Sequence, residues 1–217
     1  MELNRLDRLA FEATPVITVP RYSPLPALQI GQRRYLVASD GVYIEARSRA
    51  LHACVQMAGW VAPTPFGEIV PFAKPVAGPI PPPMLQRFMA LAAAASPAEA
   101  AALIVLRHGR YELIHPGGQQ AGVGRISYST RGIDPLDVLV DMHSHGRMAA
   151  FFSTQDDADD LANPSPCFFA MVFGRVDSCR QQIECRTVVN GWAAPDIQQL
   201  AEHLAQRPEA FDEEGPG

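Results

Sequence analysis

The sequence predicts an α+β protein with an α/β/α-like layering, preceded by a small β-rich region. Three observations carry this. Apolar runs of strand length recur (YLVAS, DVLVDM, CFFAMVFG, QQIECRTVV), each bounded by turn-forming residues. From Pro83, the residues Met84, Leu85, Phe88, Leu91, Ala92 and Ala95 fall at helical spacing. In the first eighty residues, Asp40-Gly41 sits between two strand-like runs, a strong hairpin signal.

Composition narrows the function classes. A chain of 217 residues, 47% hydrophobic and 19% charged, can bury a sizeable core as one large domain or one domain with an appendage. A net charge of −5 argues against a nucleic-acid binder, which relies on a basic field. No apolar run approaches the ~20 residues that span a bilayer, so no membrane partner is expected. The opening MELNRLDRLAFE has no apolar core of a signal peptide, which makes the cytoplasm the default location. Cys54, Cys167, Cys179 and Cys185 show no CxxC spacing; Cys179 and Cys185 are placed to meet across a hairpin, but reduced thiols are the expectation in a cytosolic chain.

Taken in order, residues 1–80 read as a β-rich module. Tyr35–Ser39 and Val42–Ala46 flank the Asp40-Gly41 turn, and Ala50–Ala58 reads as a third strand. Prolines 63, 65, 71 and 75 interrupt the stretch beyond it, and Lys74–Pro83 (KPVAGPIPPP) reads as a stiff linker. This module holds no catalytic constellation, so partner docking is its economical role. The helix from Pro83 ends near Ser96-Pro97, with Pro83 suited to its first turn. AEAAALIVLRHGRYELIHP then predicts a hairpin turning at His108-Gly109, although its alanines favour helix. Gly122–Ser129 reads as a strand and residues 131–135 as a loop. After a second helix, ended by Asn163-Pro164, Cys167–Gly174 and Gln181–Val189 form two strands joined around Asp177. Asp196–Gln206 has the spacing of a terminal amphipathic helix (Ile197, Leu200, Ala201, Leu204), and residues 208–217 are an acidic, flexible tail.

The chemistry concentrates in Asp141–Asp160, DMHSHGRMAAFFSTQDDADD. DVLVDM reads as a buried strand, and side chains two apart on a strand share a face. His143 and His145 therefore reach one point. After seven intervening residues comes Ser153, and Asp156 lies in the first turn of a helix. Two imidazoles and a carboxylate are the ligand set of a catalytic zinc site, which leaves a fourth position to water. Ser153 and Asp156 also form a helix-start signature, an N-cap with a capping box. At this spacing, directly after a buried strand, the metal reading prevails. His52, His108, His115 and His203 lack ligand spacing.

The string His-x-His-x7-Ser-x2-Asp resembles the signature of the JAB/MPN metalloproteases, the JAMM family of isopeptidases. Its surroundings are similar to one bacterial branch, that of the PRTRC cassettes. The resemblance covers about Pro83 to Trp192 and implies a JAB/MPN-type curved mixed β-sheet flanked by helices over residues 81–207. It also implies one Zn2+ per chain on His143, His145 and Asp156. Glu99 matches the place of the family's general base, a glutamate opening the strand after the first helix, and Ser153 that of its oxyanion-stabilising hydroxyl. Glu112 and Glu68 compete with Glu99, and Ala102 stands where the family often has glycine. The implied activity is cleavage after the C-terminal glycine of a ubiquitin-like protein. The substrate or its conjugate is then the partner, with ThiF-like (E1-like) cassette proteins as further partners. The alternatives are hydrolysis of a small amide or sulfur-carrier conjugate, a structural zinc site, and a non-catalytic MPN scaffold.

Overall fold

The computed structural model describes residues 4–122 and 125–195. Helix α1 (Arg5–Ala13) precedes five strands: β1 (Val16–Thr18), β2 (Arg33–Val37), β3 (Gly41–Arg47), β4 (Leu51–Gly59) and β5 (Phe72–Pro75). These form one sheet in chain order, with β1 parallel to β2 and the rest antiparallel. Helix α2 (Pro82–Ala95) leads to the hairpin β6 (Ala101–Arg107) and β7 (Arg110–Ile114), then to the ribbon β8 (Gly117–Gly122) and β9 (Arg125–Ser129). The chain continues with β10 (Val138–Ser144), α3 (Thr154–Ala162), β11 (Cys167–Gly174), β12 (Gln182–Val189) and β13 (Trp192–Pro195). The second sheet runs β13-β12-β11-β10-β6-β7 and is mixed, since β10 and β11 are parallel. A parallel pair needs a crossover, and α3 lies in it. The fold is α+β, as expected.

Alternation along the strands gives the second sheet two different faces. Ile104, Val140, Met142, Phe169, Met171 and Phe173 face one core, which α2 closes with Leu85, Phe88 and Ala92. Phe88 meets Phe173 edge-on, ring centroids 4.9 Å apart. The same core contains Ile44, Leu51, Ala53 and Val55 from β3 and β4. The Sγ of Cys167 on β11 lies 3.4 Å from the Leu51 carbonyl, so the two sheets touch directly. Leu103, Val105, Phe168, Ala170 and Val188 face the opposite side, towards Phe152 and Ile133. Asp141 and His143 alternate with Val140 and Met142, and so belong to that opposite side.

Several elements differ from the expectation. α1 was not expected in a β-rich start; Asn4 caps it, accepting from the Leu6 amide, and no side chain of the helix is buried. Lys74–Pro83, which reads as a linker, is ordered by contacts: Phe72–Pro75 pairs with β4, the Val76 amide donates to the Ala50 carbonyl, and Ile80 is buried. Of the strand expected at 122–129, Arg125–Ser129 forms β9, while Gly122 ends the separate strand β8, GGQQAG, which forms despite its glycines. β13 was missed because WAAP is too short to show alternation. The hairpin at His108-Gly109 forms, and both residues take positive φ (49° and 75°), as a two-residue turn of the type favoured in hairpins demands. The terminal helix expected at 196–206 lies outside the described residues. Among those described, no helix is long and apolar enough to cross a membrane.

Candidate metal centre

The centre is built at the end of β10. His143 is held between Ala101 of β6 and Val172 of β11, and the His145 amide donates to the Phe173 carbonyl, 2.8 Å. The chain must then turn sharply. Gly146 does so at φ +55°, where a Cβ would stand 2.8 Å from the Pro97 carbonyl oxygen. The next segment folds back through Met148 N to the His145 carbonyl and Arg175 N to the Met148 carbonyl. It delivers Ser153 to the start of α3.

Ser153 and Asp156 form the capping box, and Asp156 also completes the candidate ligand set. Asp156 Oδ2 accepts from the Ser153 amide (2.6 Å) and hydroxyl (2.7 Å), while Oδ1 faces His143 Nε2 at 3.1 Å. One oxygen thus fixes the helix start and the other is presented to the site. His143 Nε2 lies 3.2 Å from His145 Nε2, and the three ligating atoms fall within 4.8 Å of one another. Tetrahedral zinc, with bonds of about 2.0–2.2 Å, places neighbouring ligand atoms roughly 3.3 Å apart. Two of the three separations match that spacing, and His145 Nε2 stands 3.9 Å from Asp156 Oδ2, so the donor set suits such an ion after a small closure. The edge of Phe151 closes on the His145 ring, centroids 4.6 Å apart.

Electrostatics agree with a cation site. Burial alone would raise the Asp156 carboxyl, but hydrogen bonds from His143 and Ser153 hold it well below the usual carboxylate range. For His143, burial opposes the charged form, and its contact with Asp156 outweighs this and raises the imidazole. His145 is lowered by burial and by its neighbour His143.

Glu99 lies just before β6 and is buried, 4% exposed. Its amide donates to the Gly122 carbonyl, and the next residue, Ala100, pairs through its backbone with Ser144. Glu99 therefore lines the same cavity, of about 100 Å³, as the three ligands and Ser153. Burial raises its carboxyl, while His143 pulls the other way. Glu112 is exposed on β7, in an ion pair with Arg107, and Glu68 is exposed in a loop; neither lines the cavity.

Residues 81–188 match the family of prokaryotic homologs of the JAB domain. Those residues form a JAB-family domain. All five site residues lie inside the match. Residues 4–90 match a domain of unknown function (DUF2016), so both matches include the first turns of α2. No curated protein matches the chain.

The JAB domain also brings to the site residues that sequence reading left aside. Asp141 shares the His143 face of β10, is pushed up by burial, and accepts the Tyr128 hydroxyl from β9. Its position was legible: Asp141, His143 and His145 alternate in one string. Tyr128 and Arg186 carried no local signal, and Asn163 only that of a helix end. Asn163, the C-cap of α3, donates to Asp141 Oδ2 at 3.4 Å. Asp157 and Asp160 both bond to Arg186 of β12, and burial raises Asp160 to about 6 despite that partner. A second hollow of about 370 Å³ continues from the first past Tyr128 and Gln155 towards Ile133 and Val138.

Proposed function

We propose that the JAB domain is a zinc-dependent peptidase or isopeptidase that hydrolyses an amide bond. The substrate we infer is a ubiquitin-like protein cut after its C-terminal glycine, from a conjugate or a precursor extension. The single observation that carries the hydrolytic reading is the convergence of three ligand atoms within 4.8 Å of one another, beside a buried glutamate in one cavity. His143, His145 and Asp156 would hold the ion. When bound, zinc polarises a carbonyl and lowers the pKa of water towards ~7.

The chain's own residues supply the rest. Glu99 accepts the proton of the attacking water as its oxygen bonds to the carbonyl carbon. It then returns that proton to the leaving nitrogen as the C–N bond breaks. A carboxyl raised by burial suits both tasks, since a general base works best with a pKa near the operating pH. The Ser153 hydroxyl donates to Asp156 at rest; redirected into the cavity it lines, it would donate to the developing oxyanion. The hollow leading from the site gives an extended chain end a path to it.

Metal analysis tests the reading first. About one zinc per chain is expected in the native protein and none in Asp156→Ala; a native chain that neither carries zinc nor takes it up leaves the partner-binding scaffold in its place. Ser153→Ala is expected to lower kcat by ~10²–10³ through loss of one oxyanion donor. Loss of the N-cap also removes about 1 kcal/mol of stability, while zinc stays bound. Unchanged kcat on a glycine-ended protein fusion would remove Ser153 from the reaction. Cleavage of short amide conjugates in preference to such a fusion would replace the ubiquitin-like substrate with a small one.

A further inference from the structure

The helix that supplies the third ligand has no buried residue of its own. Leu161, its one large apolar side chain, is 71% exposed. Hydrophobic packing, the usual anchor of a helix on a sheet, is therefore missing from the element that must place Asp156 to a fraction of an ångström. What holds it is polar. Arg186, on the same face of β12 as Val188, donates from Nε to Asp160 (2.7 Å) and from an outer nitrogen to Asp157 (2.6 Å). Its guanidinium carbon also stands 3.8 Å from the centre of the Phe152 ring, immediately before the Ser153 cap. Asp157 and Asp160 are three apart and share a helix face, and one planar fork spans both. Arg186 is 9% exposed. One side chain thus grips the segment both before the cap and beyond the ligand.

We propose that Arg186 is a positioning residue of the metal centre, clamping α3 so that Asp156 Oδ1 stays at ligand distance from the two histidines. The proposal rests on the zinc reading above. It also accounts for two of the acids after the ligand, Asp157 and Asp160, which serve the clamp.

Zinc affinity of the full chain, measured by competition with a chelator, tests it without reference to any substrate. Charge alone predicts the wrong sign for a clamp: removing a cation from beside the site should tighten zinc binding. A clamp predicts weakening, by about the 10–100-fold typical when an outer partner of a metal ligand is lost. Arg186→Ala is expected to show that loss and Arg186→Gln a smaller one, with Arg186→Lys, a point charge without the fork, recovering only part of it. Arg49→Ala, which removes an arginine paired with Asp134 and Asp137 away from the site, is expected to bind zinc as the native chain does. Should Arg186→Ala fail to fold, Arg186→Gln decides. Native or tighter affinity in a folded Arg186→Ala or Arg186→Gln would overturn the clamp. So would an equal loss in Arg49→Ala, which would mean general loosening. A native chain that binds no zinc would overturn the site reading itself, and the clamp with it.

Discussion

Glu99→Gln should lower kcat by ~10²–10⁴ while the protein keeps its full complement of zinc. The substitution preserves shape and removes only the ability to take a proton. Glu99 is not among the three clustered ligands, so metal content should not respond. Stability should not fall either, and the sign can be worked out. Burial raises the carboxyl in the folded chain, so its ionised form is more costly folded than unfolded. A raised carboxyl favours folding at low pH and opposes it above the folded pKa. Above the unfolded pKa the metal-free native chain bears that cost, and the neutral amide does not. The unfolding temperature of metal-free Glu99→Gln should equal or exceed that of the metal-free native chain at neutral pH. Loss of zinc in this variant would make Glu99 a ligand, and full turnover on a glycine-ended fusion would leave the site without its base.

The ligands were legible because two periodicities met in one short string. A strand places alternate residues on one face, and a capped helix start places the N3 side chain back over its own N-terminus. Ser153 and Asp156 looked like two competing explanations in the sequence. In the structure they are one, since Asp156 divides its oxygens between the cap and the ion site. Arg186 is the opposite case. Its partners lie 26 and 29 residues away, and neither a lone arginine in a strand nor an acidic helix face announces the other. α1 was hidden for a different reason. Its spacing of Leu6, Leu9 and Ala13 is helical, but the strand signals downstream of it dominated the reading of the first eighty residues.

The partition of the chain into an N-terminal module and a JAB domain leads to a second large effect. Apolar runs reveal that a strand is buried without revealing against what, so the sequence reads as two units. Yet Leu51 of β4, fully buried, belongs to the same core as Phe88 of α2 and Phe173 of β11. Both family matches also include the start of α2. We therefore expect the two regions to unfold as one. The chain has two tryptophans, Trp60 after β4 and Trp192 in β13, so Trp60→Phe and Trp192→Phe each leave a fluorophore reporting on one sheet. The two denaturant transitions should coincide, as a two-state unit requires. Adding Leu51→Ala should cost about 2–5 kcal/mol at both probes alike. If the modules were independent, Leu51→Ala would shift the Trp60 transition and leave that of Trp192 in place. The first eighty residues would then be a docking appendage, as the sequence alone reads. A shared shift makes them instead the second wall of the core that supports β10 and its histidines.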